Sequence, residues 1–322
     1  MNASPALPPL SGTQHTIRAA GYSATIASVG ASLRELSFNG RPLILGFPAD
    51  AVRPGYRGAI LAPWPNRVIG GAYTVDGQTY TLPLNETDRG NAIHGLVQWL
   101  DWVPVGEDEV RGESEVTLGA TLQASDAYPF RLVFRIHYAL SAGGLAVTLT
   151  AQNTGTAAAP YGVSAHPYFV APGDPAAWRV AFDAATVLDV DERLAPAGLQ
   201  PVDAGDGQLD LRGGPEIRGR FIDNAYTDIA RNPGAEIDGE GRDGGSATVR
   251  VTGEGGVGTE IAFGADFPWA QVYTGALGDP DGPSIAVEPM TCPPNAFATG
   301  TDLLFIAPGE TLTRSWTIRS IG

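Results

Sequence analysis

Along most of this chain apolar and polar residues alternate with a period of two, the repeat of a strand with one face to a core and one to solvent. The alternation runs through residues 16–29 and again through 32–45. Asn39-Gly40 interrupts the second run, and both of its residues tolerate the positive φ that a tight hairpin needs. Asp76-Gly77 repeats the device between 72–75 and 79–82. A third hairpin spans 131–153 and turns at 141–144. On it Leu132, Phe134, Ile136, Tyr138 and Leu140 share one face, with Arg131, Arg135 and His137 on the other. The pattern continues through 145–150, then returns at 270–274, at 303–307 and, after Pro308-Gly309, at 311–318. Nowhere does a capped 3.6-residue period persist for a dozen residues. The pattern predicts an all-β protein, a large sandwich of antiparallel sheets with long loops at its ends. No repeat and no break in composition divides residues 1–322, so the chain reads as a single domain behind a loose tail of about ten residues.

Composition agrees with that reading. The 322 residues include 42 glycines and 26 prolines, about a fifth of the chain and well above average usage. They are spread between short apolar segments, as turns between many strands require. Two stretches are less regular. Residues 171–214 are rich in Pro, Ala and Asp, and 234–258 are dense in Gly and acid (Asp238, Glu240, Asp243, Glu254). The second lacks the alternating oxygen ligands of a calcium loop and reads as a solvated turn between strands.

Charge narrows the partners. Twenty Lys and Arg face 35 Asp and Glu, a formal −15. A polyanion such as nucleic acid, or an anionic membrane surface, is repelled at long range, which leaves a small neutral ligand. Cys292 is the single cysteine, so neither an internal disulfide nor a cysteine-based zinc site is expected. The first residues lack a basic start followed by an apolar core, and no apolar run reaches the length of a membrane span. The expectation is a cytoplasmic monomer or homodimer.

Candidate chemistry lies where polar residues stand in stiff or apolar frames. Residues 285–287 read as a buried strand that ends on Glu288, among Pro283, Pro289, Pro293 and Pro294. Proline fixes its own φ and restricts the residue before it, so the carboxylate sits in a rigid setting suited to a general base. His166 is locked by Pro167 and flanked by Tyr168 and Phe169, and His94 lies in a loop with Gly95 directly after it. His15 lies beside polar residues near the N-terminus with nothing reactive nearby, and His137 falls on the solvent-facing side of its hairpin, so neither reads as a site residue. Arg67 follows Pro63-Trp64-Pro65-Asn66, a frame for a positioned guanidinium, and Asp223 stands between Ile222 and Asn224-Ala225. Trp64, Phe169 and Trp269 offer apolar walls, as does the segment 290–297. There is no nucleophile elbow, phosphate-binding glycine loop, HExxH pair or ligand spacing for a metal. One Glu, two His, one Arg and one Asp suit acid–base chemistry on a neutral polyol.

In this order the motifs resemble those of the aldose 1-epimerase (galactose mutarotase) family. They are Asn66-Arg67-Val68-Ile69-Gly70-Gly71, Asn91 with His94-Gly95, Ala165-His166-Pro167-Tyr168-Phe169, Asp223-Asn224-Ala225-Tyr226-Thr227, Gln271-Val272-Tyr273-Thr274-Gly275 and Glu288-Pro289. Each is weak alone, whereas the ordered set is specific and spans most of the chain. Three departures bear on which sugar is taken: one glycine rather than two after His94, Pro63-Trp64-Pro65 before Asn66, and Met290-Thr291-Cys292 after Glu288-Pro289.

The resemblance implies a large antiparallel β-sandwich that interconverts the α and β anomers of an aldose without a cofactor. It implies Glu288 as the base that takes the C1 hydroxyl proton and His166 as the acid that protonates the ring oxygen. His94 and Arg67 would bind the sugar and stabilise developing charge, while Asp223 would anchor ring hydroxyls; Asn66 and Trp64, directly before Arg67, are expected from their place in that frame to bind the sugar as well. Two alternatives stand beside this: an epimerase for a phosphorylated or other anionic sugar, for which Arg193, Arg212, Arg218 and Arg220 would have to converge, and a non-catalytic carbohydrate-binding protein.

Overall fold

The computed structural model describes residues 7–106, 113–233 and 244–322. Two eight-stranded antiparallel sheets carry most of it. The first runs, in spatial order, Val103–Pro104, Glu115–Leu122, Leu132–Ser141, Gly144–Asn153, Thr311–Ile321, Gly258–Gly264, Ser246–Thr252 and Arg179–Phe182. The second runs Pro196–Pro201, Ala184–Val190, Asp223–Ile229, Trp269–Tyr273, Ile285–Met290, Ser164–Ala165 and Ile60–Leu61, and Tyr168–Phe169 also pairs with Ile285–Met290. Phe134, Leu149, Phe263 and Trp316 of the first sheet join Val187, Tyr226, Val272 and Val287 of the second in one apolar core. Burying those side chains is the main favourable term in folding, at about 25 cal/mol per Å² of apolar surface removed from water.

The hairpin at 131–153 shows how the pattern becomes structure. Leu132, Phe134, Ile136, Tyr138 and Leu140 are at most 5% exposed, and Ser141 pairs with Gly144 across the turn. Asn39 and Gly40 take φ of 49° and 80°, and Asp76 and Gly77 take 51° and 77°, as two-residue hairpin turns require. The alternating run 16–29 is two strands, Gln14–Ala19 and Tyr22–Ala27, folded back at Ala20-Gly21. Ala20 gives no turn signal, which is why the run reads as continuous in sequence.

Two expectations are corrected. Residues 246–252 are not part of a solvated turn: Ser246–Thr252 is an interior strand of the first sheet. Asp238, Glu240 and Asp243 lie outside the described residues, as do residues 1–6 of the expected tail. Glu288 does not end its strand, because the strand continues through Pro289 to Met290. The ladder explains how a proline fits there. The N–H groups of Val287 and Thr291 donate to Pro167 O and Val163 O, so position 289 faces the break where Ser164–Ala165 gives way to His166-Pro167. Pro289 has no N–H to donate, and at that break none is required.

Candidate active site

The interrupted edge of the Glu288 strand opens into a cavity of about 340 Å³. Its lining includes Glu288, His166, His94, Arg67, Asn66 and Asp223. Six of the seven side chains singled out in the sequence therefore meet here, from five separate segments. Glu288 pairs in register with Gln271, and Asp223 with Tyr273 on the neighbouring strand, so three adjacent strands present one wall. His166 stands in the break, with its N–H on Ala59 O and its C=O accepting from Gly58 N.

The opposite wall is built from Arg67–Ile69 paired with Asn91–Ile93. Asn66 and His94, at the ends of these short strands, have φ of 52° and 66°, and His94 N donates to Asn66 O at 2.9 Å. Positive φ is uncommon outside glycine and persists where the surroundings enforce it. Gly95 is required next: a Cβ there would lie 2.1 Å from Ala62 O, at a φ of 74°. Asn295 locks the same wall, donating from its N to Arg67 O and accepting from Ile69 N.

At the buried end, Glu288 Oε1 lies 3.4 Å from His166 Nε2, and the two residues are 2% and 5% exposed. The His94 and His166 rings meet edge to face at 5.2 Å. Burial pushes the Glu288 carboxyl well above the usual carboxylate range; nearby Asp223 adds to this and Arg67 opposes it. Burial lowers His166 to about 3, with Arg53 adding to the shift. Burial also drives His94 well below the ordinary histidine value, helped by His166, Arg67 and Arg53. Burial therefore disfavours the charged form of both partners of the Glu288–His166 contact. Glu288 Oε2, His94 Nδ1 and His166 Nδ1 are buried with no hydrogen-bond partner among the described residues. Buried polar atoms are seldom left so, and their convergence suits a ligand rich in hydroxyl groups.

Asp223 is fixed by Gln271, whose Nε2 donates to Oδ1 at 2.7 Å, and burial raises its carboxyl while Arg67 and Gln271 oppose. Arg67 is held by Glu86 through bonds of 2.9 to 3.2 Å from Nε and Nη2. Glu86 also takes Arg89 at 3.2 Å and Asn91 Nδ2 at 2.8 Å.

Trp64 is the exception among the expected site residues. It is 2% exposed, packs on Phe297 at 5.3 Å and does not line the cavity. Phe169, Trp269 and the segment 290–297 are likewise core rather than wall: Phe169 is fully buried, Trp269 packs with Leu188, Ala225 and Met290, and Phe297 packs on Trp64, Tyr73 and Tyr128. The apolar walls are Tyr56, Tyr168, Tyr273, Ile93, Leu194 and Phe221 instead. Glu86 and Tyr56 give little signal, the first in the polar run 85–89 and the second after Pro54-Gly55, which reads as a turn. Gln271 had one: a polar residue inside the apolar strand 270–274.

The four arginines of the middle segment do not converge on the cavity. Arg212 pairs with Asp203 and Asp210, Arg218 with Asp174, and Arg220 donates to the carbonyls of 207, 208 and 210. Arg193 reaches the rim by donating to Arg89 O.

Comparison with known proteins places this architecture. Residues 13–319 match the family model described as aldose 1-epimerase. The uncharacterized protein YihR of Escherichia coli is 35% identical over 302 residues, covering 93% of this chain and 91% of that protein. Human galactose mutarotase is 31% identical over 150 residues, a match covering 44% of this chain and 42% of that protein. A solved aldose epimerase homologue from C. elegans superposes with a TM-score of 0.77 over 96% of this chain and all of that one, at 19% identity, which speaks to the fold. The chain belongs to the aldose 1-epimerase family.

Proposed function

We propose that this protein is a cofactor-independent mutarotase that interconverts the anomers of a free aldose. The observation that carries the reading is the Glu288–His166 pair, 3.4 Å apart at the buried end of a cavity whose other polar groups are Arg67, His94 and Asp223. Between about pH 3, where His166 would gain a second proton, and the raised titration of Glu288, the pair holds one labile proton. With that proton on His166, the Glu288 carboxylate takes the C1 hydroxyl proton while His166 delivers its own to the ring oxygen. The C1–O5 bond breaks and C1=O forms. The pair is then a protonated Glu288 and a neutral imidazole, the arrangement in which neither buried group carries a charge. After rotation about C1–C2, the oxygen of the C5 hydroxyl attacks C1, His166 takes that hydroxyl's proton and Glu288 protonates the C1 oxygen. Both roles are restored for the next turnover.

Arg67 faces the cavity as a cation fixed by Glu86, suited to hold charge that builds on oxygen during opening. Asp223, oriented by Gln271, accepts from ring hydroxyls. The acidic net charge and the balance of Arg67 by Glu86 favour a neutral sugar. One observation favours a second reading, an aldose with an anionic group remote from C1: Arg89 lines the cavity with a side chain 44% exposed. Polarimetry on freshly dissolved α-glucose and α-galactose tests the first reading, and adding a 6-phosphorylated or 6-sulfonated hexose as competitor separates the two. Acceleration of neutral sugars with weak competition supports the first. Strong competition by the anion, lost in Arg89→Ala, supports the second.

A further inference from the structure

Resting on the mutarotase reading, we propose that Tyr56 is a positioning residue for both imidazoles, holding His94 and His166 in the orientation from which protons pass to and from the sugar. Its backbone raises the question. Tyr56 has φ of 57° directly after Gly55 at 52°, and two successive left-handed residues are costly when the second is aromatic. The surrounding structure enforces that conformation from both sides. Arg53, 5% exposed, gives Nη1 to Val29 O and Ser32 Oγ and Nη2 to Gln98 O. Arg57, 2% exposed, is held by Asp279 at 2.6 Å and Asp281 at 2.9 Å. Tyr168 OH donates to Gly55 O at 2.9 Å, which ties the turn to the short strand just after His166.

What this scaffolding presents is the Tyr56 ring, on the wall of the cavity. The ring meets His94 edge to face at 4.5 Å and lies within 16° of parallel to His166 at 6.5 Å. Tyr168 stacks on His166 at 4.9 Å and 7°. Tyr56 OH accepts from Asn85 Nδ2 at 3.3 Å, and Asn85 grips both the N and the O of Ile93, the residue before His94. One side chain thus packs on the His94 ring, lies parallel to the His166 ring and, through Asn85, binds the segment that carries His94. Aromatic pairs of this geometry are directional, and proton transfer tolerates little misplacement.

The decisive variant is Tyr56→Gly, which removes the ring and relieves the left-handed backbone; Tyr56→Asn, also tolerant of positive φ, duplicates it. The expected result is a fold of equal or greater thermal stability, kcat lowered about 10- to 100-fold and KM changed less. Tyr56→Phe keeps the ring and recovers most of the lost rate. Glu288, His94, Arg53 and Tyr168 still face His166 in these variants, so the acid limb of the kcat profile should move upward as water reaches the imidazole. A folded Tyr56→Gly with kcat within about twofold of wild type and an unmoved acid limb overturns the proposal. NMR titration of the imidazoles separates this from failure of the mutarotase reading. If wild type accelerates no aldose, that reading falls. Ring shifts and titration of His94 and His166 unchanged by Tyr56→Gly would then sink the positioning role, and altered ones would support it.

Discussion

At the residue scale the account rests on two groups whose burial moves their protons in opposite directions. Removing either should cost about 10²- to 10⁴-fold in kcat, the usual contribution of a positioned acid or base; Glu288→Gln and His166→Asn assayed by stopped-flow polarimetry measure this. The same burial predicts a stability effect of definite sign. A carboxyl whose folded pKa is raised binds more protons folded than unfolded, so its contribution falls as pH rises from the unfolded value toward the folded one. Glu288→Gln should therefore raise the thermal midpoint at neutral pH while abolishing activity, the trade expected of a residue kept for chemistry. His166 runs the other way. Its folded pKa of about 3 lies below the unfolded one, so stability is lost as pH falls between the two and His166→Asn should flatten that loss. An unchanged melting profile for either variant would contradict the assigned direction. The activity profile should be bell-shaped, because only the singly protonated pair can open a ring.

At the scale of elements the site depends on short, strained connections between strands. Gly95→Ala is expected to destabilise by more than about 1 kcal/mol, since the new methyl meets Ala62 O and the φ is left-handed. Denaturant unfolding measures the loss, and a variant as stable as wild type would show that the His94 loop has room to shift. The elements also decide how far the site was legible. His166, Arg67 and Glu288 stood out because prolines and aromatics surround them, and the structure uses those frames: Pro167 sits in the strand break and Pro289 faces it. The place of Glu288 along its strand is not legible in sequence, since a proline normally signals an end and only the neighbouring break makes it tolerable inside. Glu86 was invisible because its run, Asn85 to Arg89, has the composition of a solvated loop; what distinguishes it is three partners distant in the fold or around the turn. Tyr56 was invisible for a related reason, since backbone strain leaves no mark on composition.

At the scale of the whole molecule the alternating pattern was enough to give two antiparallel sheets over one core, because period-two burial is a local property that survives in the fold. Which aromatics face the cavity is not local, and there the pattern misled. Trp64, expected at the sugar, is instead a core residue against Phe297. Trp64→Ala should cost about 3–5 kcal/mol of stability, whereas Trp64→Phe should leave KM for the sugar within about twofold. A large KM change in a well-folded Trp64→Phe would return this residue to the site.

The central claim is that Glu288 and His166 exchange protons with the anomeric centre and the ring oxygen. Two-dimensional NMR exchange between the α and β signals of an equilibrated aldose observes that event with no coupled enzyme. Wild type is predicted to produce exchange cross-peaks far above the spontaneous rate. Glu288→Gln and His166→Asn, correctly folded, should return them to near background. Cross-peaks of wild-type strength in either variant, or none with wild type across neutral and anionic aldoses, would contradict the account.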